Sequence, residues 1–132
     1  MKRDTESATN YLAGLFDSKG AIKIETPAKG KSPSLFAWIT AKDFKVIEFC
    51  NQKFGAKVGQ RSDGQFRAKW KDRFAHNILS QIYNSLLTKK DQAQVGIEFF
   101  KAKEKNELPD NEYIVYLLRL KLLKKEDVEA GG

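Results

Sequence analysis

The chain has one cysteine, Cys50, and one histidine, His76. A single cysteine excludes an internal disulfide and suits a reducing, intracellular setting. One His and one Cys cannot by themselves build a zinc site. The two lie far apart in sequence, and Cys50 sits among apolar residues, so it reads as core rather than as a nucleophile. No apolar run approaches the roughly 20 residues of a membrane helix. Met1-Lys2-Arg3-Asp4 leads into polar residues without a signal-peptide apolar segment. No internal repeat is visible. No phosphate-binding glycine loop is evident, because Gly55, Gly59 and Gly64 fall in hairpin positions.

What is present is enough for one compact domain, spanning residues 1–132. Hydrophobic residues make up 41% and charged residues 31%, a balance that fits a soluble globular chain rather than a disordered one. The net charge of +7 points to a polyanion, most simply nucleic acid, against the blander reading of general solubility.

Residue patterns predict a helix from Thr5 to Phe16, capped by Thr5 or Ser7 and ended by Asp17-Ser18-Lys19-Gly20, with Gly20 as a left-handed C-cap. Ala21–Thr26 alternates as a strand, with Ile22 and Ile24 on one face and Lys23 and Glu25 on the other. A basic loop, 27–33, precedes a second strand at Ser34–Ala41. Asp43 caps a helix running to Phe54, and Gly55 stops it. Strands at Lys57–Arg61 and Gln65–Trp70 flank Asp63-Gly64, a strong hairpin signal. A helix over Asp72 to Leu86 or Leu87 follows, then one capped by Thr88 and running from Lys89 to about Lys105. The core so defined is about 5–105. A last helix at about 109–123 precedes a mobile polar tail, 124–132.

Three segments carry a family resemblance. The first is Tyr11-Leu12-Ala13-Gly14-Leu15-Phe16-Asp17-Ser18-Lys19-Gly20. The second runs from Phe54-Gly55-Ala56-Lys57-Val58 through Asp63-Gly64 to Phe66-Arg67-Ala68-Lys69-Trp70. The third is Leu87-Thr88-Lys89-Lys90-Asp91-Gln92-Ala93 through Ile97-Glu98-Phe99-Phe100. In this order they resemble the LAGLIDADG homing endonucleases, single-motif type, over residues 9–105. The resemblance implies an α+β fold of order αββαββα, with a four-stranded antiparallel saddle-shaped sheet and C-terminal helices. It also implies a homodimer joined through Leu12, Ala13, Gly14 and Phe16, whose two-fold symmetry matches a near-palindromic double-stranded DNA site. The small Ala13 and Gly14 would let two motif helices approach closely, or would simply pack against their own core.

One position departs from the family. The acidic residue that binds the metal is replaced by Lys19, and a Lys cannot ligate Mg²⁺. Asp17 matches the earlier Asp of the motif and is only a weak alternative ligand; it reads as a residue that helps end the helix. Ala41 stands where the family often holds a water. Lys45 and Lys89 match basic positions near the active site. No metal or other cofactor is therefore expected, and Mg²⁺ only if an active endonuclease with a rearranged metal site exists.

The resemblance makes the outward sheet face a nucleic-acid surface. By alternation that face carries Lys23, Glu25, Lys57, Arg61, Gln65, Arg67 and Lys69, with Lys29 and Lys31 of the loop gripping flanking backbone. Val58, Phe66, Ala68 and Trp70 would face the helices. If Leu35, Ala37 and Ile39 point to the core, Phe36, Trp38 and Thr40 point to the saddle. Phe36 and Trp38 would then touch thymine methyls or stack on unpaired bases. A one-residue register shift would instead bury both.

The leading expectation is a cleavage-inactive, sequence-specific DNA-binding protein with no membrane role, such as a repressor. An RNA-binding splicing cofactor, or maturase, is the second reading. An active endonuclease and a protein-interaction domain docking through its last helix complete the set.

Overall fold

The computed structural model describes residues 2–26, 32–105 and 112–131, with side chains for 6–26, 32–105 and 112–125. The described elements are α1 (Lys2–Lys19), β1 (Gly20–Glu25), β2 (Ser34–Ala41), α2 (Phe44–Phe54), β3 (Lys57–Gln60), β4 (Phe66–Lys71), α3 (Arg73–Ile82), α4 (Lys90–Glu104) and α5 (Tyr113–Gly131). A 3₁₀ turn at Tyr83–Ser85 follows α3. This is the expected α+β order. The strands form one antiparallel sheet in the order β1-β2-β4-β3.

Alternation along the strands decides the two faces. Ile22, Leu35, Ala37, Ile39 and Ala68 are fully buried, and Ile24 and Trp70 nearly so, while Lys23 and Glu25 are exposed. The buried side meets Leu12 and Phe16 of α1, Ile47 and Cys50 of α2, Leu79 and Ile82 of α3 and Phe99 of α4 in one core. No register shift occurs in β2: its inward residues are those expected.

Local chemistry explains the boundaries that held. Asp43 caps α2, its carboxylate accepting from the Lys45 amide at 2.9 Å. Gly55 ends the helix in the left-handed region, φ 66°. The Asp63 carboxylate accepts from the Gln65 amide at 3.0 Å, and Gly64 takes φ 88°, which closes the hairpin.

Four boundaries differ. Helix α1 starts at Lys2, so Thr5 and Ser7 lie inside it, because nothing in that segment breaks a helix. It also continues through Asp17, Ser18 and Lys19. Gly20 is no left-handed cap but the first residue of β1; a Cβ there would lie 2.6 Å from the Phe16 ring and carbonyl, so close approach demands the glycine. Helix α3 ends at Ile82, short of Leu86. Helix α5 runs to Gly131, so the segment expected as a mobile tail is helical up to that residue; 124–130 holds no Gly or Pro to stop it. Pro109 lies outside the described residues, as do Lys29 and Lys31.

Helix α5 packs on α4 through Tyr116 against Phe99, ring centroids 5.9 Å apart, and through Arg119 to Glu98 at 2.8 Å. Its Leu120 is buried. Among the described residues no helix is long and apolar enough to cross a membrane.

Candidate nucleic-acid interface

Pairing across the sheet arranges the outward side chains in rows. One row is Ala21, Trp38, Lys69 and Lys57; the next is Lys23, Phe36 and Lys71; a third is Thr40, Arg67 and Gly59. Lys57 therefore stands directly opposite Lys69. Like charges so placed repel at a cross-strand separation of about 5 Å, a cost the fold does not need. Glu25 is the only acid within the four strands. Lys57, Arg61, Arg67 and Lys69 line one shallow hollow.

The aromatic residues of β2 are on this face, as the unshifted register requires, but they are not bare. Lys69 Nζ lies 4.2 Å from the centre of the Phe36 ring, and Lys71 Nζ lies 5.6 Å from it. The Arg67 guanidinium sits 5.4 Å from the Trp38 ring. Each is a cation–π contact that seats the charge on an aromatic floor. Phe36 is only 7% exposed as a result. The Arg67 Nε is buried and has no hydrogen-bond partner among the described residues.

Other expected contact residues sit less simply. Gln65 lies in the turn before β4 rather than in a strand, and Arg61 is paired with Asp63 at 3.5 Å. Lys45 is exposed in the first turn of α2, just after the end of β2. Val58, expected under the helices, is 39% exposed because β3 is an edge strand. Phe66 packs inward against Phe44, as expected, at 5.1 Å. Lys71 was not among the expected residues; it continues the Arg67, Lys69 alternation one step past Trp70, and the strand reaches it.

The motif end is organised differently. The Asp17 carboxylate accepts from the amides of Leu87 at 2.8 Å, Thr88 at 3.1 Å and Lys89 at 3.0 Å, and from the Thr88 hydroxyl at 3.1 Å. Asp17 thus does not end its own helix; it holds the 87–89 bend that leads into α4. The N-cap of α4 is Lys89, not the expected Thr88. Lys89 donates from Nζ to the Asp17 carbonyl at 2.7 Å, so this part-buried ammonium is held by the chain and is not a free phosphate contact. Ser18 donates back to the Gly14 and Leu15 carbonyls, both at 3.2 Å. Lys19 is exposed in the last turn of α1, where a cation suits the helix dipole.

No protein-family profile matches this sequence, and no curated protein is similar to it in sequence. Solved structures are similar in fold. The homing endonuclease I-CvuI, in complex with its target, superposes with a TM-score of 0.78 at 14% identity, covering 92% of this chain and 83% of that one. The archaeal intron-encoded homing endonuclease I-Vdi141I, complexed with DNA, gives 0.67 at 15%, covering 94% and 84%. The homing endonuclease I-TnaI gives 0.68 at 16%, covering 92% and 96%. This chain has the LAGLIDADG homing-endonuclease fold.

The fold implies a divalent metal at the motif end, and the residues here do not fit one. Lys19 presents an ammonium, the Asp17 oxygens are engaged by amides and a hydroxyl, and Ala41 is buried and apolar. Among the described residues no cluster of three His, Cys, Asp or Glu is placed to hold a metal.

The expected dimer residues also need correction. Leu12, Ala13 and Phe16 are fully buried in the chain's own core and cannot form an outer surface. Gly14 alone of the four is exposed, and a Cβ built on it meets nothing within 4 Å. The helical period puts Ser7, Tyr11, Gly14 and Ser18 on one exposed stripe of α1.

Proposed function

We propose that this chain binds double-stranded DNA across the saddle as a homodimer, and does not cut it. The observation that carries the proposal is the unneutralised row in which Lys57 faces Lys69, flanked by Arg67 and Lys71. Repulsion on that scale is relieved by a polyanion laid along the sheet. DNA complexes among the structures of similar fold support duplex DNA as that polyanion.

The homodimer would form through the Ser7, Tyr11, Gly14, Ser18 stripe, where the missing side chain of Gly14 permits close helix approach. A two-fold dimer reads a near-palindromic site. Lys19 in place of the metal-binding acid and the engaged Asp17 support binding without cleavage or Mg²⁺, the behaviour of a repressor working inside the cell. The splicing-cofactor reading rested on free Phe36 and Trp38 rings, and each already carries a cation of the chain itself.

Selection from a randomised duplex library in the presence of Mg²⁺, with sequencing of bound DNA and of any cleaved ends, tests this reading. An enriched near-palindrome with intact ends is expected. Cleaved ends would overturn the inactive reading, and no enrichment would overturn sequence-specific DNA binding.

A further inference from the structure

The sheet has a second end, away from Lys19. Gly20, next to Lys19, is level with Ile39 and Ala68, whereas β4 continues three residues further to Lys71, about 10 Å along the strand. There the saddle runs into a hollow of about 500 Å³ lined by Phe36, Lys57, Lys69, Trp70, Lys71 and Phe74. That size accommodates a nucleotide. Three ammonium groups ring it, and no acid lines it. The Trp70 indole N–H is already committed to the Phe54 carbonyl at 2.9 Å, so the floor is apolar.

Phe74, on the first turn of α3, differs from the other aromatics of this surface. It is 68% exposed, and among the described residues no ring or cation packs on it. It also lines a second hollow beside Lys53 and Trp70, so it stands as a plate between two depressions. A large exposed ring of this kind contributes nothing to the core. A ring beside lysines is the arrangement that holds single-stranded nucleic acid: the base stacks, and the ammonium groups take the backbone.

We propose that this hollow binds one unpaired DNA nucleotide where a strand leaves the duplex on the saddle, its base stacked on Phe74 and its phosphate held by Lys57 and Lys71. The site rests on the duplex reading for its position, since Lys57 and Lys69 belong to both surfaces. Its recognition is separate, because duplex DNA offers no free base face.

The test measures binding of a labelled oligothymidylate about eight nucleotides long, and of a labelled blunt duplex, by fluorescence anisotropy with the parent chain, Phe74→Ala and Phe74→Trp. Phe74→Ala is expected to weaken the oligothymidylate about tenfold and to leave the blunt duplex unchanged, while Phe74→Trp keeps both. Phe74 is too exposed for either change to disturb the fold. Equal binding of the oligothymidylate by parent and Phe74→Ala overturns the site, and so does a matching loss for the blunt duplex. If the duplex is not bound at all but the oligothymidylate binds through Phe74, the duplex reading fails and the nucleotide site stands. An oligouridylate that depends on Phe74 where the oligothymidylate does not would overturn the assignment to DNA.

Discussion

The two polar regions of this molecule are built on opposite plans. At the motif end, Asp17 meets three amides and a hydroxyl, and Lys89 meets the Asp17 carbonyl. On the saddle, Lys57 faces Lys69, and the Arg67 Nε has no hydrogen-bond partner among the described residues. One region is closed by the chain itself, and its residues are accounted for by folding. The other is left open and repulsive, which folding alone does not favour. The difference separates a site whose polar groups are satisfied within the chain from a surface whose like charges are left facing one another.

If the motif end is structural, breaking it should unfold the protein. Asp17→Ala leaves the amides of the 87–89 bend without their acceptor and is expected to cost about 3 kcal/mol, seen as a lower denaturant midpoint. A loss below about 0.5 kcal/mol would erase the contrast. On the saddle, replacing Lys57, Arg67 and Lys69 together by Ala relieves the Lys57–Lys69 repulsion but removes the cation–π contacts on Phe36 and Trp38, so that midpoint should move less than for Asp17→Ala. The same change should reduce duplex affinity at least about a hundredfold and lower the salt slope of binding by about 3 for each protomer of the dimer.

Two glycines of the motif sharpen the comparison further. Gly20→Ala drives a Cβ into Phe16 and is expected to destabilise the chain by about 2 kcal/mol. Gly14→Leu meets nothing within the chain, so the monomer should fold normally; sedimentation should show loss of the dimer, with weaker duplex binding. A Gly14→Leu variant that still dimerises would move the interface off α1.

The smallest effect concerns Cys50. Burial pushes its thiol up from 9.0 to about 11, against a weaker lowering by a backbone hydrogen bond. Between those values the unfolded chain has released the thiol proton and the folded chain has kept it, so stability falls as pH rises through this window and is fully present below it. Denaturant titration of Cys50→Ala beside the parent should show a shallower fall from pH 9.0 to about 11.

Much of this was legible in the sequence. The capping Asp43, the left-handed Gly55, the Asp63-Gly64 turn and the period-two patterns of β1, β2 and β4 are local signals, and each matched the structure. Gly20 was read for the wrong reason, because close packing against Phe16 is invisible in a one-dimensional pattern. Phe74 and Lys71 were passed over because nothing local distinguishes an aromatic or lysine beside a groove from one elsewhere.

The sequence by itself determined the element order, the inward faces of β1, β2 and β4 and the replacement of an acid by Lys19, since these depend on residue type and period alone. Only the tertiary structure decided that Asp17 holds the 87–89 bend, that Lys89 is held, and that Gly14 rather than Ala13 faces outward. Those outcomes depend on which segments meet: Leu87 lies seventy residues beyond Asp17 in the chain and 2.8 Å from it in the fold.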